Sequence, residues 1–329
     1  MLEHGGRLRA AAKRWGIPLA DWLDLSTGIA PHGYPVPTPS AYSWRCLPEE
    51  GDGLEEAASA YYGSTRLLAL PGSQAAIMAL PSLRPRGTTA ILSPTYGEYA
   101  AAWQAAGHAV RFFVPDELEN VAAACDAVIV ANPNNPTGAR FARAPLLEAA
   151  RTLHVRGGKL IVDEAFADAE GEESLATIAG SHEAPNLVVL RSLGKFFGLA
   201  GARVGFAIGR SAVLERLAAA IGPWAVAHPA REAARAALAD AAWQREQRER
   251  LRAASGRLER LLMDAGLGAS SGTALFRYLV TPRAPEIAEL LARQGVLVRS
   301  FTGPCALRFG LPGSEAEWER LAVVLGRSV

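Results

Sequence analysis

From residue 88 onward the chain alternates short runs of Val, Ile and Leu with longer stretches of helical period, and this alternation restricts the fold more than any other feature. The runs are TTAILS, AVRFFV, AVIVAN, KLIVDEAF, LVVLRS and VGFAIG, with GEYAAAWQAAG and ARAPLLEAARTLHVRG among the intervening segments. A strand that is apolar at successive positions is buried on both faces, and strands joined by helix-length crossovers pair in parallel. The expectation is an α/β chain with a mostly parallel sheet covered by helices on both sides. One more run, LLALPGS, precedes these and ends in a Gly-Ser turn, where Ser73 is expected to cap the helix SQAAIMAL.

The ends of the chain read differently. Residues 1–50 are irregular and rich in Pro, Gly and aromatics (DLSTGIAPHGYPVPTP), as expected of an arm laid over a larger surface. Residues 51–228 form the large domain. After Gly222-Pro223 the pattern changes to a long helical stretch over residues 229–265. TALFRYLV, EIAELLARQG, VLVRSF, ALRFGLP and EAEWERLAVVLG then read as a small α+β unit, so 229–329 is the second domain, which part of the arm joins.

Several function classes lose support at once. A net charge of +1 gives no electrostatic case for nucleic acid or an anionic membrane as partner, and no apolar run approaches the roughly 20 residues that span a bilayer. The opening MLEHGGRLRAAAKRWG lacks the apolar core of a secretion signal, so the cytoplasm is the expected location. Cys46, Cys125 and Cys305 are far apart, with no CxxC, and read as small core residues, with neither a disulfide nor a metal site. The charged run WQREQRERLRAASGRLER reads as a solvated helix face, since acids interleave with its arginines.

The chain holds only three lysines against thirty-one arginines. Lys195 lies in RSLGKFFGLAGARVGF, just beyond the run NLVVLRS. A primary amine can lose its proton and condense with an aldehyde, which a guanidinium cannot do. Ser192 and Arg203 flank it, and Gly194, Gly198, Gly201 and Gly205 keep the backbone free of side chains, as a phosphate cradle requires. Open α/β sheets bind ligands at such carboxyl ends of strands. Standing alone, the stretch reads equally as a surface lysine on a glycine-rich turn.

NPNNPTG (132–138), VDEAF (162–166), SLGKFFGLAGAR (192–203) and LRFG (307–310) occur in that order along the chain. Together they resemble the aspartate-aminotransferase superfamily, the fold type I enzymes of pyridoxal 5'-phosphate, and the likeness covers essentially the whole chain. It implies a mostly parallel seven-stranded sheet with a smaller α+β domain. Lys195 is then the residue that binds the cofactor aldehyde and moves a proton, and Asp163 the partner of the pyridine nitrogen. The resemblance also implies that Asn135 faces the ring oxygen and the substrate. Gly72, Ser73, Gln74, Ser192 and Arg203 then surround the phosphate, Tyr96 stacks on the ring, and Arg308 takes the substrate α-carboxylate. Apart from the resemblance, Asp163 and Asn135 read as turn residues and Tyr96 as core.

Within the superfamily the chain is most similar to the L-threonine-O-3-phosphate decarboxylases of cobalamin biosynthesis, themselves related to histidinol-phosphate aminotransferases. The likeness rests on the opening His4-Gly5-Gly6, on Phe166 where most aminotransferases carry Tyr, and on RSLGKFFGLAGAR, GPWAVAHPA and RFGLPG. It implies loss of carbon dioxide from threonine phosphate to give (R)-1-amino-2-propanol O-phosphate. A phosphorylated substrate needs a second anion site, for which Arg299 and His4 are the candidates, with Gly28 also beside the substrate. The superfamily further implies a homodimer, and the pathway raises a cobinamide-synthesis enzyme as a second partner. Where relatives carry an RYP-like Tyr that reaches the partner's cofactor, this chain reads RCLPEE, which leaves Tyr42 or Tyr61 as substitutes. Two other readings fit the motifs: an aminotransferase acting on histidinol phosphate, and a non-catalytic pyridoxal-phosphate sensor.

Overall fold

The computed structural model describes residues 4–170 and 174–328. Its strands are β1 (Leu23–Leu25), β2 (Leu67–Leu70), β3 (Thr88–Leu92), β4 (Ala109–Phe113), β5 (Ala127–Ala131) and β6 (Lys159–Asp163), followed by β7 (Leu187–Ser192), β8 (Gly205–Ile208), β9 (Ser271–Thr273), β10 (Phe276–Val280), β11 (Val296–Thr302) and β12 (Cys305–Gly310). Seven of them form one sheet in the order β2-β8-β7-β6-β5-β3-β4. The pairs from β7 across to β4 are parallel, whereas β8 runs antiparallel to both β7 and β2. β5 is buried at every position, and the inner residues of β6 and β7 are buried likewise, as strands packed on both faces must be. The edge strand β4 keeps only Phe113 fully inside.

A second sheet has the order β1-β11-β12-β10-β9. Its edge strand β1 comes from the first fifty residues and pairs in parallel with β11, Leu23 opposite Val296. The opening segment is also less irregular than its composition indicates. Leu8–Trp15 is a helix ended by Gly16 in the left-handed region, and its Ala11 packs with Trp22 and Ala292. Arg7 at its N-cap offers no capping oxygen, so the usual start signal is missing from the sequence.

Three local expectations change. The long helical stretch is two helices, His228–Ala239 and Ala241–Asp264, divided at Asp240, whose carboxylate accepts the Trp243 amide at 3.0 Å. A side chain that can cap a new helix thereby stops the old one. Gly72, at φ +78°, and not Ser73, is the N-cap of the helix Ser73–Ala79. Of the cysteines only Cys125 is buried; Cys46 and Cys305 are partly exposed.

Candidate active site

A cleft of about 500 Å³ opens at the carboxyl ends of β5, β6 and β7 and is closed by residues of the second sheet and the opening segment. Of the cofactor and substrate residues expected from the sequence within one chain, all line it except Gly72. Gly72 stands directly behind: a Cβ there would fall 2.7 Å from Arg203 Nη2.

Asp163 ends β6 with its carboxylate buried. Tyr99 Oη donates to Oδ2 at 2.8 Å and the Ala165 amide donates to Oδ1 at 2.9 Å. Burial raises its pKa above the usual carboxylate value, opposed by these two hydrogen bonds and by Lys195. Tyr99, on the helix Glu98–Ala105, was not singled out from the sequence. The available signal was a tyrosine spaced with Ala102 and Trp103 on the helix's buried face, since a buried hydroxyl needs a partner. Behind Asp163, the buried Arg191 pairs with Glu164 at 2.6 Å and with Asp168, and its guanidinium lies 4.8 Å from the Tyr62 ring centroid.

Lys195 sits in the loop after β7, its Nζ 5.5 Å from the centre of the Phe166 ring. Burial, then repulsion by Arg308, bring its pKa down to about 8, with Asp163 pulling the other way. At neutral to mildly alkaline pH a useful fraction of the amine is therefore neutral and nucleophilic. The loop is pinned by the Lys195 carbonyl, which accepts the Ala30 amide at 3.0 Å and the Gly198 amide at 3.2 Å.

At one end of the cleft stand Ser73, Gln74, Ser192 and Arg203. Arg203 holds a left-handed backbone, φ 54°, and donates from Nη1 to the Ala200 carbonyl at 3.0 Å. The corner is tight because β8 runs against the helix start: a Cβ on Gly205 would fall 2.6 Å from the Ser73 amide nitrogen. Gln74 Oε1 accepts the Tyr96 hydroxyl at 3.1 Å. Burial, then Glu98 and Asp163, push the Tyr96 pKa up to about 12, so this phenol stays a donor. The donor set fits pyridoxal phosphate. Hydroxyls and a guanidinium gather at the end suited to a phosphate, Asp163 is buried where it could face a ring nitrogen, and an amine of lowered pKa faces the same space.

On the other wall, Arg299 and Arg308 are cross-strand neighbours of β11 and β12. Arg308 is buried, and burial followed by Arg299 lowers its pKa to about 10. It donates to the Ser26 carbonyl at 2.7 Å and to Asn135 Oδ1, and its Nε has no partner among the described residues. A guanidinium can only donate, so the Asn135 oxygen faces Arg308 and its NH2 is left for another acceptor. Arg299 lies 5.1 Å from the centre of the Phe301 ring.

His4 reaches the cleft mouth, where Nε2 meets Glu98 Oε1 at 2.6 Å. Two residues on, the Gly6 amide donates to Ser26 Oγ at 2.7 Å, and a Cβ on Gly5 would fall 2.2 Å from the Ser26 carbonyl oxygen. Ser26 thus holds the arm with its side chain and Arg308 with its carbonyl. Gly28 leaves room for aromatic rings, since its Cβ would lie 2.9 Å from Phe166 Cε1 and 3.0 Å from Phe276 Cδ1. Ser26 and Glu98 also escaped the sequence reading, being polar residues in no motif. Neither Tyr42 nor Tyr61 lines the cleft. Tyr61 packs on Phe197 and accepts from Arg248 at 3.2 Å, while Tyr42 is 59% exposed against His228.

Among the described residues no helix is long and apolar enough to cross a membrane. The family model of the class I and II aminotransferases matches residues 48–325. The chain is 54% identical to the threonine-phosphate decarboxylase of Pseudomonas aeruginosa over 99% of its own length and 98% of that protein's. It is 42% identical to the threonine-phosphate decarboxylase of a Sinorhizobium species, over 99% and 98% of the two chains. Among solved structures, the histidinol-phosphate aminotransferase from Sinorhizobium meliloti in complex with pyridoxal-5'-phosphate superposes with a TM-score of 0.83 at 21% identity, covering 99% of this chain and 95% of that one.

Proposed function

The chain belongs to the class I and II aminotransferase family, and from that premise we propose that it is a pyridoxal-phosphate-dependent decarboxylase of L-threonine O-3-phosphate. The product is (R)-1-amino-2-propanol O-phosphate, destined for the nucleotide loop of cobalamin. The observation that carries this reading is the 54% identity to a threonine-phosphate decarboxylase, sustained over almost the full length of both chains. The site supports it. A phosphoamino acid brings two anionic groups, and the cleft offers adjacent arginines, Arg299 and Arg308, with His4 at its mouth.

The cofactor, when bound, supplies an electron sink for the pair released as the bond from Cα to the carboxylate breaks. The protein supplies position. Ser73, Gln74, Ser192 and Arg203 would hold the phosphate, Tyr96 would cover one ring face, and the Asn135 NH2 would meet the ring oxygen. Asp163 would face the ring nitrogen, and Lys195 would bind covalently and later return a proton to Cα. Arg308 would take the α-carboxylate, and Arg299 with His4 the side-chain phosphate. Two anchors would fix the orientation of the substrate about its Cα–N bond and so select which bond at Cα breaks.

The finer assignments go with this reading. The chain divides into an arm (1–50), a large domain (51–228) and a small domain (229–329), works in the cytoplasm and forms a homodimer. Tyr42, Trp44 and Leu47 around the helix Ala41–Arg45, with Trp224, are each at least 59% exposed, which favours a covering second copy. Sedimentation of an active but monomeric protein would count against the dimer. The principal test incubates purified holoenzyme with L-threonine O-3-phosphate. We expect carbon dioxide and aminopropanol phosphate in equal amounts and no keto acid. Keto acid from histidinol phosphate and a 2-oxo acid, with no carbon dioxide, would place the chain with the aminotransferases instead.

A further inference from the structure

We propose a second anion site at the amino ends of the central strands of the large sheet, away from the cleft, built to take a small organic monophosphate. A cavity of about 190 Å³ lies there, with Arg84, Lys159 and Arg216 around it and Trp103, Ile161 and Val188 among its apolar walls. Lys159 is the first residue of β6 and Asp163 the last, so the cavity is about 13 Å along the strand from the cleft acid.

Three observations point to an anion. First, Nε and Nη1 of Arg84 are buried with no hydrogen-bond partner among the described residues. A buried, unmade hydrogen bond on a charged donor is costly, and such atoms usually mark a missing acceptor. Second, none of the three cations forms an ion pair among the described residues. Asp126 attracts Arg84 through space, but its Oδ2 accepts the Thr88 amide at 2.7 Å. Third, the cations crowd one another: burial, then Arg84, Arg210 and Arg216, lower the pKa of Lys159. A dianion would accept a hydrogen bond from Arg84 and relieve this repulsion at the same time. The apolar walls leave space for a short hydrocarbon or aromatic group beside it.

Lys159 provides a local reporter, because the chain has three lysines and so three resonances when labelled with ε-13C lysine. The holoenzyme is titrated with pH at constant ionic strength, with and without inorganic phosphate or phenyl phosphate, and Lys159 is assigned from Lys159→Arg. We expect either phosphate to move the Lys159 midpoint upward by about one pKa unit, with phenyl phosphate binding roughly tenfold tighter. Arg84→Gln should abolish the shift without lowering the melting temperature, since the arginine it removes is unpartnered. An unmoved midpoint, or one that moves equally in Arg84→Gln, overturns the site. Equal affinity for the two phosphates overturns its organic specificity.

Discussion

Replacing Lys195 by Met removes a buried amine and keeps nearly the same apolar bulk, so it isolates the cost of holding that charge in the cleft. Lys195 falls from 10.5 to about 8 in the folded chain, and a shift of that size corresponds to about 3 kcal/mol. The sign follows from proton counts. Between pH 8 and 10.5 the unfolded lysine carries its proton while the folded one has lost it, so stability rises with pH across this window. Below pH 8 both states are protonated and the folded state bears the full cost. The cofactor-free Lys195→Met variant should therefore be more stable than wild type at pH 7, by up to about 3 kcal/mol, and this advantage should vanish near pH 10.5. The figure is already net of the attraction to Asp163, which offsets part of the burial cost. Denaturant unfolding of both cofactor-free proteins from pH 7 to 10.5 reads the difference directly. A difference that does not change with pH, or a variant less stable at pH 7, would refute a depressed lysine.

Other residues of the cleft make separate predictions. Tyr99→Phe removes the hydroxyl bound to Asp163 at 2.8 Å; a hydrogen bond to a charged acceptor is worth about 1.5–3 kcal/mol, so kcat/KM for threonine phosphate should fall roughly 10- to 150-fold, and a wild-type value would show that Asp163 does not depend on it. Gly28→Ala places a methyl 2.9 Å from Phe166 and 3.0 Å from Phe276, two buried rings in edge contact. Overpacking of this kind costs about 1–3 kcal/mol, so both melting temperature and turnover should drop; an unaffected variant would mean that the rings have room to part. Phe166→Tyr adds a hydroxyl within the cleft and should lower the pKa of the holoenzyme's visible band by roughly one to two units. An unchanged spectral titration would mean that the hydroxyl cannot reach the ring oxygen.

The large sheet was legible because most of its strands carry an apolar run at their centre, and a pattern repeated six times over is hard to mistake. The cleft was legible where chemistry demands a residue type, as at the amine Lys195, the acid Asp163 and the guanidinium Arg308. What sequence could not give was the company these residues keep. Tyr99 looks like any aromatic on the buried face of a helix, yet it supplies one of two hydrogen bonds to the Asp163 carboxylate. Ser26 belongs to no motif, yet its side chain receives the arm and its carbonyl receives Arg308. Such roles depend on contacts between residues up to 282 positions apart, which no local pattern encodes. Arg299 shows the intermediate case. Its nine-residue spacing from Arg308 fixed nothing until the hairpin register placed the two opposite each other.

One pattern in the strands explains more of the site than any single contact. β6 and β7 are parallel neighbours, and each ends in a pair of polar residues at the cleft, Asp163-Glu164 and Arg191-Ser192. Successive side chains in a strand point to opposite faces. Asp163 and Ser192 therefore line the cleft, while Glu164 and Arg191 are turned behind it, where they meet at 2.6 Å. The Glu164 amide continues the ladder by donating to the Leu190 carbonyl at 2.9 Å. A one-residue slip of β6 along β7 would put Glu164 where Asp163 belongs and leave Arg191 behind the sheet without it. It would also separate a buried ion pair, at a cost of about 3–5 kcal/mol. An apolar pair of similar volume could fill the same space, but it would penalise the slip far less. The charged pair behind the sheet thus keeps the carboxylate of β6 at a fixed distance from the serine and lysine that follow β7, and the spacing of the cleft is set from its hidden side.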